Sequence, residues 1–249
     1  MRGLKCYRLD FIILVDTKPG LLNFQHLFIQ RANMNQTSDS RRPIASRESN
    51  WAKVSARWLA KRNVSPNFIS VLSIIFSIVA FIAFYLDADA ATNHTVLMIL
   101  AIVGIEGRLI MNLFDGMVAV EHNKKSVVGG LYNEVPDRVA DTFIIIGAGL
   151  LAKDFPYGMD LAYMATILAV VTAYIRTLGA SLNCGHHFLG PMAKQHRMAL
   201  LAVSCVIAIW YTPVFYYALL VMNIGLLITC YRRLSKVATL LKQGSSDVK

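Results

Sequence analysis

Charge is scarce in this chain: Asp, Glu, Lys and Arg make up 16% of its 249 residues, whereas 55% are hydrophobic. An ordinary soluble domain carries about a quarter charged residues, so this scarcity excludes a soluble globule and leaves an integral membrane protein. The mean hydropathy of +0.49 agrees. Paired cysteines are also missing. Cys6, Cys184, Cys205 and Cys230 form no CxxC pair and two of them fall in apolar runs, which rules out a disulfide framework and gives no strong metal signature. No repeat or low-complexity segment is present. The apolar run Phe11 to Val15 is too short to span and no small-residue cleavage pattern follows it, which argues against a signal peptide.

What the chain does have is apolar runs at 68–86, 95–114, 139–152, 161–182, 198–212 and 214–231, measured against the roughly 20 residues that cross a hydrocarbon core. The third and fifth are short. Basic residues sort the connections by side. Arg47, Lys53, Arg57, Lys61 and Arg62 precede the first run, Lys124 and Lys125 follow the second, Lys194 and Arg197 precede the fifth, and Arg232, Arg233, Lys236 and Lys242 follow the sixth. The opposite connections are nearly bare: Asp87 to His94 and the turn around Pro213 hold no Lys or Arg, and Lys153 stands beside Asp154 and Asp160. The positive-inside rule then predicts an all-α polytopic protein with six transmembrane helices and both termini cytoplasmic. The formal charge of +10 sits at helix ends on one side, where anionic headgroups lie, so nucleic acid is excluded as a partner.

These patterns divide the chain into four parts. Residues 1–46 read as a leader, disordered or partly untranslated, because Met34 opens a polar start; an extra peripheral segment is the alternative. Residues 47–65 read as an N-terminal interfacial amphipathic helix, with Trp51, Val54, Trp58 and Leu59 among basic residues and Pro66 ending it. Residues 66–235 form the six-helix domain. Residues 236–249 are expected to be a polar tail, frayed after Lys242.

Candidate chemistry lies between residues 112 and 141. The string is Asn112-x2-Asp115-Gly116-x2-Ala119-x9-Gly129-x3-Asn133-x3-Asp137-x3-Asp141. At helical spacing Arg108, Asn112, Asp115 and Ala119 share one face of the second span, and Asn133, Asp137 and Asp141 share a face of the third. Acidic groups at bilayer depth are costly and mark function. Two such faces meeting near the membrane surface gather five oxygen-bearing side chains, which suit hard divalent cations such as Mg2+ or Mn2+. Gly116, Ala119 and Gly129 leave room for a ligand beside the backbone. Structural readings stand beside this one: Asp115-Gly116 as a turn, Asn133 as a helix N-cap with Pro136 in the first turn, and Asp137 or Asp141 ion-paired to Arg108 or Arg138.

The string resembles the signature of the CDP-alcohol phosphatidyltransferases, Asp-x2-Asp-Gly-x2-Ala-Arg-x8-Gly-x3-Asp-x3-Asp, with every spacing kept from Asn112 through Asp137. The resemblance extends over roughly residues 47–235. It implies a six-helix membrane enzyme, usually a homodimer, that displaces CMP from a CDP-linked substrate with an alcohol hydroxyl. By this resemblance Asp115 and Asp137 match metal-binding aspartates, Asp137 also matches the general base, and Gly116, Ala119 and Gly129 border the cytidine nucleotide. Pro66-Asn67 is similar to the element that starts the first helix beside that nucleotide. Three positions depart from the pattern: Asn112 and Asn133 stand where aspartates are usual, and Val120 where arginine is usual. Asp141, one turn beyond Asp137, offers a replacement carboxylate. Two registers therefore stand open: Asp137 as base, or Asp137 on metal with Asp141 as base.

A second cluster, Arg176 followed by Lys194 and Arg197, joins Arg108 as candidate ligands for a phosphate on the acceptor or the lipid; its alternative is a plain topology signal. Cys184-Gly-His186-His187 reads as an interfacial loop ahead of a soft-metal site. The expectation is a transferase of a bacterial inner membrane, opening toward the cytoplasm, that moves a phosphatidyl group from CDP-diacylglycerol to a small hydroxylated acceptor. A phosphorylated acceptor is mildly favoured. The rivals are a CDP-linked polar alcohol donating to diacylglycerol, a transporter using the same acids as a relay, and a non-catalytic lipid-binding relative.

Overall fold

The computed structural model describes residues 49–89, 93–121 and 127–246. Among them are seven helices and no strand: α1 Asn50–Lys61, α2 Pro66–Ala88, α3 His94–Glu121, α4 Gly129–Leu150, α5 Gly158–Ser181, α6 Lys194–Ala208 and α7 Val214–Ser246. The leader expected at 1–46 lies outside the described residues, as do Arg47, Lys124 and Lys125. Four helices, α2, α3, α5 and α7, are long and apolar enough to cross a membrane. The shorter α4 and α6 supply Asp137, Asp141, Lys194 and Arg197 to the site.

Two boundaries differ from the expectation. Helix α4 begins at Gly129, well before the apolar run at 139, and Pro136 sits inside it. The proline removes only the bond to the Tyr132 carbonyl, which is near the exposed end of the helix. Helix α7 continues through Ser246, past Lys242, the expected start of fraying, with Val237 buried at 6% exposure. That turn faces Gly179, where an added Cβ would meet the Val237 side chain at 2.9 Å.

Ser65 caps α2, its side chain accepting from the Phe68 N–H at 3.2 Å, and Pro66 fits the first helical position, where no donor is needed. Helix α1 lies across α3, with Ala52 and Ala56 fully buried in a cluster with Leu113, Phe114, Met117 and Val118. Trp51 meets Phe114 edge-on at 5.9 Å. Val54 and Trp58 remain exposed.

Helix α2 packs most extensively against α3 and α4, through small residues. Ser70, Ser73, Ser77, Ala80 and Ala83 are all buried. The Ser73 and Ser77 hydroxyls donate to their own helix, at 2.6 Å to the Ser70 carbonyl and 2.8 Å to the Ser73 carbonyl. Small side chains let membrane helices approach closely. At Gly104 α3 meets α2 backbone, where a Cβ would lie 2.7 Å from both the Phe76 carbonyl oxygen and the Ala80 nitrogen. Around this seam the core is built from Phe84, Met98, Ile105, Ile144, Ile145, Met198, Leu201 and Phe215, and Phe84 meets Phe215 at 5.4 Å. Large apolar side chains such as Ile75, Ile82, Val96, Ile99, Ile167, Val221 and Leu227 point outward.

Replacing Gly104 with leucine drives a side chain into α2 backbone, and overpacking of this kind costs roughly 1–3 kcal/mol or more. The expected result is a lower melting temperature in detergent. An unchanged one would show that α2 and α3 are not locked at this point.

Candidate active site

The polar residues of α3, α4 and α6 converge at one end of the bundle. Asp141 is 2% exposed, and both of its oxygens are held: Oδ1 accepts from Arg108 Nη2 at 2.5 Å and Oδ2 from Arg197 Nη2 at 2.6 Å. Arg108 is fully buried and Arg197 is 2% exposed. One turn earlier, Asp137 accepts from the Asn112 amide at 2.6 Å and from Lys194 Nζ at 2.8 and 2.7 Å on its two oxygens. Lys194 also donates to the Asn112 side-chain oxygen. The Arg108 guanidinium bridges the two acids, lying 3.5 Å from Asp137 Oδ1 and 3.3 Å from the Asp137 carbonyl. Asp115, 4% exposed, accepts from Ser70 Oγ at 2.6 Å, which ties it to the first turns of α2. Three carboxylates and three cations thus form one cluster, buried except at the partly exposed Lys194 side chain.

The helical spacing explains why these groups meet. Arg108, Asn112 and Asp115 lie on one face of α3, as do Asp137 and Asp141 on α4, and that α3 face points at α4 and α2. Lys194 and Arg197 open α6, and the segment before it is pinned from outside. Arg233 of α7 donates to the Leu189 carbonyl at 2.9 Å and to the Thr172 carbonyl at 2.7 Å. Met192 N–H donates to Thr229 Oγ1 at 3.0 Å, and Arg197 Nη1 to the Met192 carbonyl at 2.9 Å. Gly190 makes this docking possible: its φ is +113° and a Cβ there would lie 2.6 Å from the Thr229 side chain. In the sequence Arg233 reads only as part of a basic flank and Thr229 carries no signal, because nothing in the pattern links residue 229 to residue 192.

Not every expected residue joins the cluster. Asn133 is exposed on the second turn of α4. Gly116, Ala119 and Gly129 are partly buried, as are Pro66 and Asn67 at the start of α2, where the Pro66 carbonyl accepts from Ser70 at 3.1 Å. Arg176 turns to Glu134, at 2.5 and 2.6 Å, rather than to Asp137, and stacks over the Phe188 ring at 5.3 Å. Arg138 also pairs with Glu134, at 2.6 Å. In the loop after α5, His186 Nδ1 and His187 Nε2 are buried without partners. Burial and the nearby Arg176 charge hold the His186 ring below its usual pKa. Cys184, Cys205 and Cys230 are free thiols.

Residues 63–231 match the family model of the CDP-alcohol phosphatidyltransferases. The chain belongs to the CDP-alcohol phosphatidyltransferase family. It is similar to the inner membrane protein YnbA of Escherichia coli (strain K12), 24% identical over 140 residues, which are 56% of this chain and 66% of that protein. The match therefore spans just under two thirds of that relative. Among solved structures, it resembles the phosphatidylinositol phosphate synthase PgsA1 of Mycobacterium tuberculosis with CDP-DAG bound, at 16% identity and a TM-score of 0.61, covering 76% of this chain and 94% of that one. The same synthase in complex with manganese and citrate gives 14% identity and a TM-score of 0.62 over 76% of this chain and 89% of that one. At these identities the likeness shows the fold. With four helices apolar enough to cross, the protein is a multi-pass membrane member of the family.

Against the family signature, the donor set here is a poor match for a pair of divalent ions. Two of the four signature acids are amides, and one of these, Asn133, faces away. Asp137 and Asp141 already have every oxygen engaged by Lys194, Asn112, Arg108 or Arg197. Among the described residues no three His, Cys, Asp or Glu side chains are grouped as a metal would need. Asp115 is the one carboxylate of the cluster without a cation in contact.

Asp141→Asn leaves two buried guanidinium groups without their shared counterion, and breaking a buried pair from one side costs about 3–5 kcal/mol. The protein is expected to melt much earlier in detergent, while Glu134→Gln at the half-exposed rim has a smaller effect. Equal melting temperatures for the two variants would remove Asp141 from the centre of the fold.

Proposed function

We propose that this protein transfers a phosphatidyl group from CDP-diacylglycerol to the hydroxyl of a small polar acceptor, releasing CMP. The observation that carries this reading is the convergence of the signature residues Asn112, Asp115 and Asp137 with Lys194 and Arg197 in one buried cluster of a CDP-alcohol phosphatidyltransferase fold. In the reaction the acceptor oxygen forms a bond to the lipid-side phosphorus, the bond from that phosphorus to the CMP oxygen breaks, and CMP leaves with the electron pair. The acceptor's proton needs a base within hydrogen-bond reach. Asp137 fits this role better than Asp141, whose two oxygens are clamped by two arginines, whereas Asp137 is held in part by a lysine ammonium on a flexible stem.

Gly116, Ala119 and Gly129, with Pro66 and Asn67, all partly buried, are assigned to the nucleotide. Arg108, Lys194 and Arg197 are assigned to phosphate, and Arg176 to an acceptor phosphate at the rim once it exchanges Glu134. We read α4 and α6 as the fifth and sixth crossing segments beside the four long helices. Helix α1 lies along the cytoplasmic leaflet, with Trp51 and Trp58 exposed next to Lys53, Arg57 and Arg62. The basic flanks support an opening of the site on that side, and we take the functional unit to be a homodimer. Mg2+ or Mn2+ serves such chemistry in the family by neutralising phosphate charge.

The reversed transfer, from a CDP-linked polar alcohol to diacylglycerol, uses the same groups, and the choice of substrates separates the two. Purified protein in detergent is expected to release CMP from CDP-diacylglycerol with at least one hydroxylated acceptor, and Asp137→Asn to slow this by about a hundredfold or more. If neither substrate pairing yields CMP and no CDP-lipid binds, the protein is not an enzyme of this class and the lipid-binding reading takes its place.

A further inference from the structure

We propose that the ammonium of Lys194 takes the place of a divalent ion in this chain, so that the pyrophosphate of the CDP-linked lipid is bound by side-chain cations and its binding is independent of metal. This rests on the functional reading above. Three observations carry it. Lys194 Nζ sits between the Asn112 oxygen and both oxygens of Asp137, which are two of the signature side chains that the family resemblance assigns to metal or base. A cation is therefore already in place between them. The amide at 112 removes a negative charge from the cluster, and its three carboxylates, Asp115, Asp137 and Asp141, are matched in number by Arg108, Lys194 and Arg197, so the cluster offers no surplus of charge to draw in a divalent ion. Finally, Arg108 Nε and Nη1 and Arg197 Nε are buried with no hydrogen-bond partner. Buried donors without acceptors are costly, and guanidinium N–H groups are matched to phosphate oxygens.

The ligand class that satisfies these donors is a nucleoside diphosphate ester. As its phosphate oxygens take over Lys194, one or both Asp137 oxygens lose their cation. Asp137 is then open to receive the acceptor's proton only when donor is bound. Lysine is suited to this because its ammonium is a point charge on a flexible stem, where arginine is a rigid fork.

The test is equilibrium binding of CDP-diacylglycerol to the purified full chain in detergent, with EDTA or with Mg2+ or Mn2+. Affinity in EDTA is expected to fall within about threefold of that with metal. Lys194→Met is expected to weaken binding about ten- to a hundredfold in both conditions, the range for loss of a charge-assisted hydrogen bond, with Lys194→Arg recovering part of it. The Asn112→Asp variant, which restores the carboxylate inside the cluster and keeps the lysine, is expected to become metal-dependent, losing about tenfold or more in EDTA; it answers the question even if Lys194→Met fails to fold. Wild-type binding that collapses in EDTA and returns with Mg2+ or Mn2+ would overturn the lysine substitution and leave the transferase reading standing. Absence of CDP-lipid binding in every condition would remove the transferase reading itself.

Discussion

The contact on which the rest depends is the double clamp of Arg108 and Arg197 on Asp141. A single carboxylate, 2% exposed, is held from α3 on one side and α6 on the other, and this joins the three helices that Asn112, Asp137 and Lys194 link again one turn away. Each ion alone would be expelled from such an environment, since desolvation of an isolated buried charge costs several kcal/mol. Together they fix the rotation of α4, because Asp141 can meet both guanidinium groups in only one orientation of that helix. Asp137, one turn away on the same face, is thereby delivered to Asn112 and Lys194. The site is in this sense a by-product of the clamp: geometry imposed by buried charge places the reactive carboxylate.

Small residues make the clamp reachable. Arg108 lies one turn beyond Gly104, where α3 touches α2 backbone, and the serines of α2 let the helices close on each other. A wider spacing there would withdraw Arg108 from α4 and separate Ser70 from Asp115, which bond at 2.6 Å. On the far side, Arg233 and Thr229 hold the loop that ends in Lys194, so the long final helix contributes to the site without placing a side chain in it.

Much of this was legible in the sequence, for a physical reason. Spacings of three and four within one helix map directly onto a face, so the grouping of Arg108, Asn112 and Asp115, and that of Asp137 and Asp141, follows from the chain alone. Asn133 shows the limit: it shares the spacing, yet it belongs to a turn of α4 that extends past the neighbouring helices into exposure. The start of α4 at Gly129 was hidden because hydropathy reports apolar length, and the first turns of that helix are polar. Partners far apart in sequence were illegible. Nothing local tells that Lys194 reaches over Asn112 and Asp137, or that Arg176 turns to Glu134 instead.

The amides decide how the cluster should be understood. Asparagine keeps the shape and one donor oxygen of aspartate but brings no charge, and it adds an N–H that must find an acceptor. At position 112 that N–H is given to Asp137 at 2.6 Å, so the residue has turned from a ligand for cations into a bridge between an acid and a lysine. An aspartate at 112 would stand beside Asp137 with like charge and would need a further cation to hold the pair together. Asparagine needs only the one charge that Lys194 supplies. The exchange is therefore consistent across three residues at once: an amide that donates, an acid that accepts, and an ammonium that balances the acid. A chance loss of the aspartate would explain the amide alone, whereas a site rebuilt around a fixed cation accounts for all three.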